Sequence, residues 1–240
     1  MTPSTPTRSF GETPIRPATS ASLLQAGDHL DQPTFHARYS AMPPRFRAEL
    51  VEGVVFVPSP VSRDHSKVHW NVVNWLGAYQ LETPGIEGLD NVTTILGPET
   101  EVQPDAALCL PLEAGGRVRP APVGIAGPPE LVVEIAHTSA AYDLGPKKRE
   151  YERCGVLEYV VISSLDEEVK WFRRQGEQFV EVAPDAQGIH RSTAFPGLWL
   201  DSRALVADDM RAVMATLRLG LAAPEHAAFV ARLRQARNPG

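Results

Sequence analysis

Leu131-Val132-Val133-Glu134-Ile135-Ala136 restricts the fold of this 240-residue chain more than any other stretch. It is apolar without alternation except at one carboxylate, and an unbroken run of this kind suits a strand covered on both faces. Residues 157–162 form a second such run. Between the two, a helix is predicted from Asp143. Pro146 is tolerated in its first turn, Lys147, Tyr151 and Cys154 fall at helical spacing, and Gly155 stops it. Strand, helix and strand in that order predict a parallel crossover, right-handed as such connections almost always are.

Upstream, Asp31-Gln32-Pro33 reads as an N-cap and helix start, the helix continuing through 35–42 until Pro43-Pro44 ends it. Leu50, Val51, Val54, Val55 and Val57 around Gly53 predict a hairpin or bulged strand pair over 47–57. Ser62 or Asp64 then caps a helix running to about Leu81, whose Val68, Val72, Leu76 and Tyr79 recur at near-helical spacing. Extended segments are predicted at 92–96 and 101–110, and a Gly- and Pro-rich loop at 111–129. Downstream, 169–174 and 178–182 read as an antiparallel hairpin about Gly176, and 208–221 and 225–237 as amphipathic helices separated by Pro224. There is no internal repeat.

Glu134 is the anomaly, because an ionised carboxylate inside a buried strand needs a partner or a metal, or it takes up a proton. Gln103-Pro104-Asp105 puts a second carboxylate at the edge of another apolar run, and Lys147 follows Glu134 by 13 positions. An Asp, a Glu and a Lys gathered by neighbouring strands can hold a divalent cation and a water nucleophile, so metal-dependent phosphodiester hydrolysis is the leading expectation. The structural alternatives stay open at this point: Asp105 as a strand-end residue, Glu134 paired with Lys147 in a buried salt bridge, Glu49 as a solvated edge charge. His65 and His69 share a helix face at the spacing of a two-histidine metal site, but Ser66-Lys67-Val68 lacks the Glu of a His-Glu-x-x-His motif. His65 is expected instead to face substrate or to hydrogen-bond.

With 23 Lys and Arg against 29 Asp and Glu, the net charge of −6 argues against a protein that coats nucleic acid, since counterion release needs concentrated positive charge. A nuclease with an acidic centre is compatible with it. Cys109 and Cys154 have no metal-ligand spacing and are expected to be reduced core thiols. Residues 1–22 lack a secretory apolar stretch and are expected to form a disordered leader. No run of about 18 apolar residues offers a membrane span, so a cytoplasmic protein is expected.

Ala48-Glu49-Leu50-Val51-Glu52-Gly53, Pro58-Ser59-Pro60 with His65 after it, Gln103-Pro104-Asp105 and Glu134-Ile135-Ala136-His137-Thr138-Ser139 occur in an order that resembles the Uma-two-type restriction endonuclease family. Asp143 to Lys147, Tyr151, Gly155 and Glu158-Tyr159 continue the resemblance, which covers roughly residues 24–200 and leads to the PD-(D/E)xK nuclease superfamily. It implies an α/β (α+β) domain, a mixed central sheet flanked by helices, with a metal site at one sheet edge. Asp105 and Glu134 match its acidic positions. Position 136 is Ala where the superfamily usually has lysine, and Lys147 from the next helix is the implied replacement. Glu49 matches the early acidic position, with Glu52 the alternative. His137 stands where Ser is frequent, and Val160 where Trp is common.

The expected protein is thus a Mg²⁺- or Mn²⁺-dependent endonuclease acting on nucleic acid, DNA before RNA. Asp105, Glu134, the Ile135 carbonyl and Glu49 would be ligands, and Lys147 would orient or deprotonate the attacking water. Its rival is a non-catalytic binding or regulatory module on the same fold. The expected division is 1–22 leader, 23–204 nuclease domain and 205–240 helical extension. Val213, Leu217, Leu221, Phe229, Val230 and Leu233 in that extension either cover the chain's own core or form a homodimer interface, toward which the resemblance tilts.

Overall fold

A computed structural model of the chain describes residues 23–238, so the leader expected at 1–22 lies outside the described residues. Helix α1 (Gln32–Tyr39) begins where the Asp31 carboxylate accepts the Thr34 N–H at 2.9 Å, with Pro33 in the first turn, and it ends before the expected Met42. Strands β1 (Glu49–Val51) and β2 (Val54–Phe56) form the expected hairpin. Glu52 and Gly53 between them have φ of 52° and 73°, the two left-handed residues that a tight hairpin turn requires. Ser62 caps α2 (Arg63–Glu82) by accepting the His65 N–H at 3.1 Å.

Strands β3 (Glu87–Asp90), β4 (Thr94–Gly97), β5 (Thr100–Val102) and β6 (Ala106–Cys109) follow. The extended segment expected over 101–110 is two strands: β5 lies in one sheet, β6 in another, and Gln103-Pro104-Asp105 crosses between them. Pro104 has no N–H to give to a ladder, so the crossing falls there naturally. The expected loop at 111–129 holds two short strands, β7 (Arg119–Pro120) and β8 (Ile125–Ala126). Then come β9 (Leu131–Ala136), α3 (Ala140–Tyr142), a wide turn over Asp143–Lys147, and α4 (Lys148–Cys154). The helix expected from Asp143 therefore starts three residues earlier and is interrupted, because Gly145 is non-helical (φ −107°, ψ −105°) and Pro146 cannot donate. The chain closes with β10 (Glu158–Ser163), β11 (Glu168–Gln175), β12 (Gln178–Glu181), β13 (Ile189–Arg191), β14 (Trp199–Asp201), α5 (Ser202–Val206), α6 (Met210–Leu221) and α7 (Pro224–Arg237).

One six-stranded sheet runs β12-β11-β10-β9-β6-β3, a second runs β2-β1-β5-β4-β8-β7, and β13 pairs with β14. In the first sheet β9 and β10 are parallel, with Val133 opposite Val160, and the remaining pairs are antiparallel. The fold is thus mixed α and β with helices on the sheets, as expected. Two large sheets stand where a single central one was expected.

Period-two alternation along β9 sorts the layers. Leu131, Val133 and Ile135 enter a core with Trp75 and Tyr79 of α2 and Val213, Leu217, Phe229 and Leu233 of α6 and α7. Val132 and Ala136 enter another, with Tyr151 of α4, Tyr159, Phe172, and Val51 and Val102 of the second sheet. The carboxy-terminal helices therefore cover the chain's own core, and fully burying each such side chain contributes about 1.5–3 kcal/mol. Cys109 and Cys154 are free thiols. Among the described residues no helix is long and apolar enough to cross a membrane.

Candidate active site

The alternation that buries Val132 and Ala136 also sends the Glu134 side chain to their face, beneath α4 and beside the second sheet. Its Oε1 accepts the Tyr151 hydroxyl at 2.7 Å and stands 2.6 Å from Lys147 Nζ. Lys147 Nζ also lies 3.0 Å from Glu49 Oε1 and 3.9 Å from Asp143 Oδ1. Glu49, the first residue of β1, additionally accepts the Gln103 N–H at 2.7 Å, which ties the crossing segment to the hairpin. Glu134 and Lys147 are each only 3 % exposed.

Asp105 arrives from the other side of Glu134. Pairing of β6 with β9 extends only from Leu131 to Val133, and beyond it the Ile135 N–H donates to Asp105 Oδ2 at 2.7 Å. The Ile135 carbonyl faces the same strand edge, since a strand residue presents its N–H and C=O on one side. His65 Nε2 is 3.4 Å from Asp105 Oδ1, and His69 Nε2 is 2.9 Å from both the Asp105 carbonyl oxygen and Asp90 Oδ1. The two histidines thus grip one aspartate, carboxylate and backbone, and do not pair as a metal site.

The structure therefore brings Glu49, Asp105, Glu134, Ile135 and Lys147 together, where strands of both sheets meet. Glu52 is elsewhere: it accepts Arg149 Nε at 2.9 Å and Nη2 at 2.8 Å on the surface. Tyr151, one helical turn after Lys147, contacts Glu134. Sequence reasoning missed Asp143, read as a helix start, and Tyr142 beside it. The only local signal for Asp143 was its position four residues before Lys147. A cleft of about 810 Å³ opens onto Glu49, Asp105, Glu134, Tyr142, Asp143 and Lys147.

Four carboxyl groups share this space with one ammonium. Burial pushes the Glu134 carboxyl well above the ordinary range. Lys147 opposes that shift, and the charges of Asp105, Asp143 and Glu49 add to it. Burial likewise raises Asp143 against the pull of Lys147 and the Ser139 hydrogen bond. For Lys147, burial works against the charged form, but Glu134, Glu49 and Asp143 outweigh it and hold the ammonium well above its usual value. Asp105 sits below the ordinary value: burial opposes ionisation, and the His65 hydrogen bond, the Ile135 N–H and Lys147 overcome it.

Among the described residues no three His, Cys, Asp or Glu side chains stand ready as a metal-binding group. Mg²⁺ asks for less, since one or two carboxylates suffice when waters and substrate phosphates fill the other positions. Asp105 and Glu134 supply two hard oxygen donors that line one cleft. The donor set fits such a cation.

A solved structure with a similar fold is the "putative nuclease belonging to DUF820" from Anabaena variabilis. It is 15 % identical, with a TM-score of 0.56 over 71 % of this chain and 97 % of that one. No curated protein matches the chain. Residues 33–203, well over half of the sequence and including Glu49, Asp105, Glu134 and Lys147, match the Uma2 family, described as "Putative restriction endonuclease". The chain belongs to the Uma2 family.

Proposed function

We propose that this protein is a Mg²⁺- or Mn²⁺-dependent endonuclease that hydrolyses phosphodiester bonds of nucleic acid, DNA in the first instance, and acts in the cytoplasm. The observation that carries the reading is the meeting of Asp105, Glu134 and Lys147 at one cleft with Glu49 behind them. Family membership supports the nuclease class.

Asp105 and Glu134 would hold the cation, with the Ile135 carbonyl as a further oxygen and Glu49 directly or through water. When bound, it supplies Lewis-acid polarisation of a phosphoryl oxygen. Asp105 is pre-aimed, one oxygen fixed by Ile135 and the other facing His65. Lys147 keeps its proton through its three carboxylate neighbours, so it acts as a donor. It orients the attacking water and offsets negative charge growing on the phosphate. A base role for Lys147 is the weaker of the two roles the sequence allowed. Glu49 holds the ammonium in place and couples it to the segment that carries Asp105.

The rival reading, a binding module with an idle site, takes the same Lys147 contacts as structural ion pairs. A homodimer also belongs to the proposal, supported by Trp70 and Leu81, 68 % and 83 % exposed on α2. The test incubates wild type, Asp105→Ala, Glu134→Ala and Lys147→Ala with single-stranded and duplex DNA and with RNA, in Mg²⁺ and in Mn²⁺. Cleavage by wild type alone is expected. Undiminished cleavage by Glu134→Ala contradicts the mechanism, and a folded wild type that cuts none of these substrates favours the binding module.

A further inference from the structure

We propose that Tyr142 is a substrate-binding residue of this site, its hydroxyl donating a hydrogen bond to a non-bridging oxygen of the phosphate seated beside Lys147. The inference rests on the nuclease reading and extends it to a residue outside the acidic-lysine set. The Tyr142 hydroxyl is buried without a hydrogen-bond partner among the described residues. A buried hydroxyl left unpaired costs about 1–3 kcal/mol, so a fold that keeps one at a cleft has a use for it there.

Its surroundings define the missing partner. The ring stacks on Phe56 at 3.8 Å between centroids and 16° between planes, which holds the plane of the ring. Lys147 Nζ lies 6.0 Å from the ring centroid, and both residues line the same cleft. A phenol at neutral pH keeps its proton and donates. A ligand that takes a hydrogen bond from a phenol and charge from an ammonium needs several acceptor oxygens and negative charge, and a phosphodiester offers both. Exposed Arg45 and Arg47 line this cleft as well and suit the flanking phosphates.

Tyr142→Phe removes the hydroxyl and keeps the ring on Phe56. Thermal unfolding and binding of a short fluorescein-labelled oligodeoxynucleotide, measured by anisotropy in Ca²⁺, separate the two roles open to the hydroxyl. The proposal expects a melting temperature equal to or above wild type. It also expects affinity weakened roughly tenfold to a hundredfold, as for one hydrogen bond to a charged group. Unchanged affinity, or a melting temperature several degrees lower, overturns it, the latter by revealing an internal partner. Mn²⁺ affinity, read in parallel, stays at the wild-type value if the hydroxyl serves substrate alone, and a matching loss of Mn²⁺ binding overturns the assignment to phosphate. A wild type that binds Mn²⁺ but no oligonucleotide, single-stranded or duplex, fails the nucleic-acid reading itself and takes this proposal with it.

Discussion

Lys147→Met tests the site's electrostatics through stability, independently of any activity. The change removes the ammonium 2.6 Å from Glu134 and 3.0 Å from Glu49 while nearly preserving side-chain volume. Breaking a buried ion pair by deleting one partner costs about 3–5 kcal/mol. In a domain of this size each kcal/mol moves the melting temperature by about 2–4 °C, so the expected fall is roughly 6–20 °C. The sign of its pH dependence follows from Glu134. The carboxyl's folded pKa is raised above its ordinary 4.5, so above that pH the folded state holds a proton the unfolded chain has released, and stability falls as pH rises toward the folded value. Without Lys147 the folded value climbs further, so the loss should be much larger at pH 8 than at pH 5. Lys147 itself, raised above 10.5, contributes fully at both pH values in wild type and loses that contribution only as pH rises through its folded value. Calorimetry at the two pH values reads the difference. Adding Glu134→Gln, which can still accept the Tyr151 hydroxyl, should restore at least half of the loss at pH 8. An equal fall at both pH values, or almost none, refutes the argument.

Because Glu134 must release its proton to bind a cation, Mn²⁺ affinity should rise by up to about tenfold per pH unit below the folded pKa; calorimetric titration at pH 5.5 and 7.5 checks this, and pH-independent affinity counts against Glu134 as a ligand. Glu49→Ala should abolish cleavage and lower the melting temperature, whereas Glu52→Ala, which removes only a surface contact to Arg149, should leave both near wild type. His190 is buried between the Ser202 hydroxyl and the Val182 carbonyl, and burial lowers its pKa. Its stabilising contribution is therefore complete above about pH 6.5 and is lost as pH falls toward the folded value, and His190→Phe should flatten the acid side of the urea-midpoint profile. Gly220→Ala should destabilise by about 1–3 kcal/mol despite better helix propensity, because the added Cβ would meet the Gly197 carbonyl oxygen at 2.2 Å.

Local chemistry made much of the fold readable. The Ser62 cap, the left-handed turn at Gly53 and the unbroken apolar run of β9 depend on near neighbours, and each stands where the residues suggest. Parity along β9 puts Glu134 on the face of Val132 and Ala136. What the sequence concealed depends on distant partners. The division of 101–110 between two sheets follows from Leu50 pairing with Glu101 and Ala106 with Val133, which no local pattern announces. Glu49 and Glu52 look equivalent until the hairpin closes, when the left-handed backbone at Glu52 places it in the turn, beside Arg149. Asp143 and Tyr142 lie just before a break at Gly145, a distortion that the expected regular helix hides. The histidines of α2 have metal-like spacing, yet their partner is Asp105, a residue 36 positions beyond His69.

Asp105 and Glu134 are proposed as co-ligands of one cation. A crystal of the wild-type protein soaked in Mn²⁺, with anomalous data collected at the manganese edge, shows whether they share it. A single strong peak is expected within about 2.0–2.6 Å of a carboxylate oxygen from each residue. A peak bound to neither carboxylate, or none at a concentration that saturates Mn²⁺ binding in solution, would contradict it.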